Sequence, residues 1–326
     1  LPAPQILELL DAAPLDVLRQ PRTDVNPRHH DLRAAIAWTV GLLAAPQRRL
    51  LRRLASTVAP FDVATAAALD EEPAVATANR LAALADLRLL ELVDDDPARW
   101  SMPWSIREFG REQLRAAGEE TAVRTRLVLH QADRAARIAT GIDDGDPKQW
   151  YAVATAETTA LVHALEDAAA LGLTEAGLTI VPTLGRQWSV RGYGRDHLRL
   201  VEAVVPTARP LGLETPAFVE ALAWSTFLRF PSSRPAEHGE LTERLRAARA
   251  AAARIDDPDT RLRVLVPTVL CLQYTGDLDF TTDAISEAFA VLDRDDHPRR
   301  RARFEVYAAM VAHLEGDDSR AVELGL

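Results

Sequence analysis

A single hairpin signal stands inside a chain that otherwise reads as helix. Leu89-Leu90-Glu91-Leu92-Val93 and Arg99-Trp100-Ser101-Met102 are strand-like runs, and Asp94-Asp95-Asp96-Pro97 between them is a strong turn. The remaining sequence is rich in alanine, leucine and arginine, and its β-branched runs are short. That composition favours helix, so the expected fold class is all-α with one small hairpin.

Helices are expected on both sides of the hairpin. A short one over about Pro4 to Leu10 is followed by a connection carrying Pro14, Pro21 and Pro27. Asn26 or Asp31 can cap the next, which has Leu32, Ala35, Ile36 and Val40 at helical spacing. After Pro46, the positions Leu50, Leu51, Leu54 and Val58 mark another amphipathic helix. Phe61-Asp62-Val63 leads into Ala64 to Leu69, and a further helix, Ala74 to Leu87, turns Leu81 and Leu84 inward. Ser105 to Ala117 then packs Ile106, Phe109 and Leu114 against the hairpin. Helices followed by a hairpin of this kind form the winged-helix arrangement, expected over residues 28–118.

A winged helix ordinarily implies DNA. Here the wing tip is Asp94-Asp95-Asp96, which repels phosphate, and Arg80 is the only base on the third helix. The formal net charge of -10 argues the same way, so no direct DNA contact is expected.

Beyond Gly118 the pattern repeats. Turn signals fall at Gly192-Tyr193-Gly194, Pro231-Ser232-Ser233, Gly276-Asp277 and Gly316-Asp317, spaced roughly 40 residues apart as in paired-helix solenoids. Second helices end at Leu211-Gly212, Asp256-Asp257-Pro258 and Asp295-Asp296-His297-Pro298. Leu314 to Ala321 best matches a tetratricopeptide turn, with glycine ending one helix and alanine packing in the next. An α-α superhelix of tetratricopeptide-like (TPR-like) repeats is therefore expected over residues 119–326.

The chain begins Leu1-Pro2-Ala3-Pro4 and closes inside an apparent helix at Leu326, so it is expected to be a fragment. The lone Cys271 fits a reducing cytoplasm, and no apolar run approaches a membrane span. Lys148 is the only lysine.

The candidate chemistry is sparse. His130, His163, His197 and His313 are scattered without ligand partners, and adjacent His29 and His30 point apart on a helix, so no metal site is expected. Asp143-Asp144-Gly145-Asp146 lacks a closing glutamate for calcium and reads as a helix-capping loop. No Gly-x-Ser-x-Gly turn occurs, and no catalytic residues are expected. Trp150, Trp188, Tyr193, Trp224, Phe227 and Tyr274 lie on or near first helices of the repeats, where inter-helix packing is the usual role. First helices also line a concave face. There Trp188 with Arg191 and Tyr193, and Trp224 with Arg229, are candidate residues for holding a protein partner or a small-molecule inducer.

Several segments together resemble the STAND class of bacterial signal-transduction ATPases, especially the LuxR-type and SARP-type actinobacterial transcriptional regulators with an NB-ARC-like module. Leu32-Arg33-Ala34-Ala35-Ile36-Ala37-Trp38 is similar to the family's opening helix, and Leu50-Leu51-Arg52-Arg53-Leu54-Ala55 to its next. Gln149-Trp150 with Ala156-Glu157 and Leu161 resembles its first helices beyond the wing, and Trp188-Ser189-Val190-Arg191-Gly192-Tyr193 through Glu202-Ala203 its first repeat. The resemblance implies a regulatory segment in which a winged helix couples repeats to a nucleotide-binding module. It also implies that residues 1–27 are a linker or remnant helix of that module. The alternative is a TPR-type interaction scaffold with no nucleotide switch.

No Gly-x-x-x-x-Gly-Lys-Ser/Thr phosphate loop is present, so ATP or ADP belongs to the missing module and no cofactor is expected in this segment. Met102-Pro103-Trp104 occupies the family's Met-His-Asp nucleotide-sensor position and keeps only the methionine. Arg48, Arg49, Arg52 and Arg53 spread charge around their helix, either as a solvated face or as a docking patch for the module.

Overall fold

A computed structural model of the protein describes residues 32–95, 97–191, 195–208, 215–294 and 297–325. The helix expected over about Pro4 to Leu10, the linker 1–27 and the caps Asn26 and Asp31 lie outside these residues. So do the turn residues Gly192-Tyr193-Gly194, Leu211-Gly212 and Asp295-Asp296. The chain divides into two compact units, the first ending at His130 and the second beginning at Gln131.

In the first unit, α1 (Leu32–Gly41), α2 (Ala45–Leu54), α3 (Val63–Asp70) and α4 (Ala74–Asp86) precede β1 (Glu91–Asp95) and β2 (Ala98–Ser101). Next come α5 (Trp104–Ala116) and α6 (Glu120–Asp144). Proline in the first turn and the Gln47 side chain, accepting from Ala44 N at 2.8 Å, start α2. Asp62 caps α3 by accepting from Thr65 N at 2.8 Å. Leu50, Leu51, Leu54, Leu69, Leu81 and Leu84 form the centre of the core. Ile106, Phe109 and Leu114 close it from α5, as the helical spacing predicts. Val58 falls outside its expected helix, because α2 stops at Leu54 and the chain turns through Ser56 and Thr57.

The hairpin forms two residues later on its first strand than the sequence predicts. Asp94 and Asp95 extend β1 and pair with Arg99 and Ala98, and the register shifts between Leu92 and Asp94. Leu89 and Leu90 are core residues preceding the strand. Phe61, which the sequence shows only as leading into α3, exchanges both backbone hydrogen bonds with Trp100, at 2.9 and 2.8 Å. The element order is four helices, the hairpin and then α5 and α6. The last contribution comes from α6, whose Val123 joins the same core, so the unit runs past the Gly118 boundary read from sequence.

The second unit takes over within α6 and is helical throughout its described residues. It contains α7 (Pro147–Leu171), α8 (Thr174–Arg191), α9 (Arg195–Ala208), α10 (Pro216–Arg229) and α11 (His238–Arg254). It continues with α12 (Pro258–Leu270), α13 (Leu272–Thr275), α14 (Leu278–Leu292), α15 (Pro298–Leu314) and α16 (Asp318–Glu323). Recurrent start signals explain these boundaries. Thr215, Asp257, Asp277 and Asp317 each accept a backbone N–H of the following turn, and Pro216, Pro258 and Pro298 sit at the first turn of their helices. Gly276 and Gly316 terminate the preceding helices at φ +65° and +84°, a left-handed conformation that suits glycine.

Helices pack with neighbours in sequence. α8 lies on α7 and α10, α10 on α11 and α12, α12 on α14, and α14 on α15. Contacts between helices one or two apart in the chain are what a stack of helical pairs requires, and α15 also reaches back to the end of α6 through Arg300 and Arg303. Ala321 is buried just after the Gly316-Asp317 turn, as the tetratricopeptide-like pattern predicts.

Candidate functional site

The most chemically distinctive place in the protein is a buried ion network in the second unit. Asp143, in the last turn of α6, is 3 % exposed and receives three arginines. Arg303 Nη1 lies 2.8 Å away, Arg186 Nη2 3.3 Å and Arg263 Nε 3.4 Å. Arg186 also donates to Glu220 at 2.8 Å, and Arg303 Nη2 donates to the Ile142 carbonyl at 2.9 Å. Beside this cluster Arg300 binds both oxygens of Asp144, at 2.7 and 2.8 Å, and Asp259 at 2.5 Å.

The electrostatics follow from burial and pairing. Desolvation pushes the Asp143 carboxyl upward, but the charges of Arg186 and Arg303 outweigh it and hold the group below its ordinary range. Desolvation likewise disfavours the Arg186 cation, yet Asp143 and Glu220 raise its pKa further. Burial pushes the Tyr151 and Tyr307 phenols up from their ordinary range.

Arg186, Arg303, Tyr151, Tyr307, Trp224 and Gln273 help to line a cavity of about 210 Å³. A second cavity of about 530 Å³ shares Leu270, Gln273 and Tyr307 with the first and is otherwise walled by apolar side chains such as Val269, Leu272, Met310 and Leu314. The Nε of Arg186 and the Nε1 of Trp224 are both buried without a hydrogen-bond partner. The lining thus combines guanidinium, phenol and indole N–H or O–H groups with the apolar side chains Val266 and Leu270.

The candidates read from sequence meet different fates. Trp224 is 1 % exposed and carries Arg186 over its ring at 5.4 Å, so it serves as packing and as cavity wall. Trp188 is 2 % exposed and stacks on His197, with ring centroids 4.9 Å apart, and is therefore not a surface platform. Both rings are buried because first helices pack on one another along the stack. Arg191 is exposed at the end of α8, and Tyr193 lies outside the described residues. Arg229 is half-exposed and lies 3.5 Å from Glu202. The charged network was missed because Asp143 and Asp144 read as a capping loop. Only Asp146 caps, accepting from Lys148 N at 3.0 Å, and Lys148 itself is exposed. Arg300 and Arg303, three apart on one helix, were the available signal, but their partner is about 160 residues away.

In the first unit Met102 is buried, Pro103 precedes α5 and Trp104 is 48 % exposed. The Met102 carbonyl accepts from Arg107 at 2.8 Å. The four arginines of α2 are bonded within the unit. Arg48 donates to the Leu43 carbonyl, Arg49 to Glu72, Arg52 to Glu119, and Arg53 to Glu71 and Glu119. Arg49, Arg52 and Arg53 thus form part-buried ion pairs, while Arg48 is exposed and bonds a backbone carbonyl. Arg80 is held by Asp70 and Glu72. Cys271 is buried where α12 ends, and desolvation pushes its thiol up to about 12.

Among the described residues, no group of three His, Cys, Asp or Glu side chains is placed to hold a metal, and no helix is long and apolar enough to cross a membrane.

Fold and site together define an all-helical repeat protein whose first unit carries a small hairpin. No protein-family profile matches the chain. Among known proteins it is similar to uncharacterized proteins of Mycobacterium tuberculosis and Mycobacterium bovis, at 33% identity over 116 residues. That stretch is 33% of this chain, and the match spans 29% of the relatives' length. Among solved structures, a STAND protein with a tetratricopeptide repeat sensor from Pyrococcus horikoshii aligns with 98% of this chain and 55% of its own. The identity is 13% and the TM-score 0.39, a likeness too slight to build on.

Proposed function

We propose that this chain is the regulatory segment of a signal-transduction ATPase-type transcriptional regulator of the cytoplasm. In that reading the first unit is a winged helix, and it couples the repeats, which sense an inducer or a partner, to a nucleotide-binding module. The observation that carries the reading is the cavity in the repeat unit, walled by the buried arginines Arg186 and Arg303. A desolvated ion network is costly to keep for stability alone, whereas it suits a site that recognises a ligand. Ligand binding acts as a switch only when it favours one of two states.

The segment binds rather than catalyses. ATP or ADP is held by the separate module, and DNA by a separate effector domain. The ion-paired arginines of α2 support the reading that they fix α2 within its unit and leave little free charge for docking.

Reading the complete open frame tests this. A phosphate-loop module on the N-terminal side of the segment is the expected outcome, while a frame with none favours a TPR-type scaffold without a switch. The scaffold reading draws on the exposed Val306, Met310, Leu314 and Val322 of α15 and α16. An ATPase assay on the segment should give no turnover, and measurable hydrolysis would overturn the assignment.

A further inference from the structure

The two adjoining cavities of the second unit differ in character, and the difference specifies a ligand. We infer that they together take a small amphipathic carboxylate, its anionic head beside Arg186, Arg303 and Trp224 and its apolar body along Val269, Leu272, Met310 and Leu314. The inference rests on the sensor reading above and names the chemical class sensed.

Three observations point to the head. The buried groups without partners here, Arg186 Nε and Trp224 Nε1, are donors only, so each is satisfied by an acceptor and by nothing else. The Asp143 cluster brings three guanidiniums, those of Arg186, Arg263 and Arg303, to two carboxylates, Asp143 and Glu220, and so keeps one positive charge in excess. Arg300 with Asp144 and Asp259 brings the wider network to four arginines and four carboxylates, but none of those three lines the smaller cavity, whose charged lining residues are Arg186 and Arg303. Tyr151 and Tyr307, whose phenols are protonated at neutral pH, add two hydroxyls to the same wall.

The body follows from the second cavity. At about 530 Å³ it is large enough for a small organic ligand, and apart from Gln273 and Tyr307 its lining is aliphatic, methionine or glycine. The shared residues Leu270, Gln273 and Tyr307 place the two spaces side by side, so one molecule with a polar end and an apolar end occupies both. A free inorganic anion would leave the larger space empty, and a neutral hydrocarbon would leave the donors unsatisfied.

Titration of the whole chain with decanoate, decanol and acetate, read by calorimetry and by tryptophan fluorescence, tests the inference. Decanoate should bind saturably, and both decanol and acetate should bind at least about tenfold more weakly, since a hydrogen bond to a charged group is lost in one and the apolar body in the other. Met310→Glu, at a half-exposed position where the fold tolerates charge, should weaken decanoate at least about tenfold with an unchanged thermal midpoint. Arg303→Leu should do the same if it folds, and Met310→Glu keeps the test decisive if it does not. Absence of decanoate binding, equal affinity for decanol, or an unaffected Met310→Glu variant would each overturn the inference. A phosphate-loop module in the open frame alongside any of these results would leave the sensor reading standing without this ligand class.

Discussion

Removing the Asp143 carboxylate would leave Arg186 with Glu220 alone, in a position where water cannot take over. Breaking a buried pair from one side costs about 3–5 kcal/mol, so Asp143→Ala should lower the urea midpoint of the second unit by a corresponding amount. The sign of its acid response is fixed by the same geometry. The folded carboxyl titrates below its unfolded value, so its contribution is complete above about pH 4 and fades as pH falls through the lower folded value. Denaturation followed between pH 7 and pH 3 should therefore show a smaller acid loss in Asp143→Asn than in the parent. Cys271 offers an independent check on burial. With its thiol pushed up to about 12 and its side chain enclosed, it should resist a thiol reagent at neutral pH and react only on unfolding. Rapid modification of the native chain would contradict the packing around the end of α12.

Helix boundaries were largely readable, because caps and breakers act locally. Asp257, Asp277 and Asp317 mark helix starts by their own chemistry, and Gly276 and Gly316 mark ends by theirs. What stayed hidden was non-local. No neighbour of Phe61 announces that its backbone pairs with Trp100, and nothing near Asp143 announces Arg303. The interhelical fit was hidden for the same reason. A Cβ built on Gly185 in α8 would come within 2.8 Å of the Trp224 ring of α10, itself 1 % exposed and unable to yield. Gly185→Ala should consequently destabilise by about 1–3 kcal/mol despite the better helix propensity of alanine, as overpacked sites do. Thermal melts giving an equal or higher midpoint would show that the α8–α10 contact can relax.

Across the whole molecule charge constrains function more than shape does. A net charge of -10 and an aspartate-rich β1 work against a phosphate backbone, and the basic residues of α2 and α4 are occupied by carboxylates and carbonyls. Fluorescence anisotropy with random-sequence duplex DNA at about 0.1 M salt, where the Debye length is near 10 Å, should show no saturable binding. Tight binding there would return the first unit to a DNA-reading role. The same arginine-rich composition has a practical corollary. Lys148, exposed in the first turn of α7, is the only side-chain amine in the chain and lies three positions before Tyr151 on the cavity wall. An acylating dye can therefore mark the protein at one surface point besides its amino terminus, close enough to the cavity for its emission to report filling.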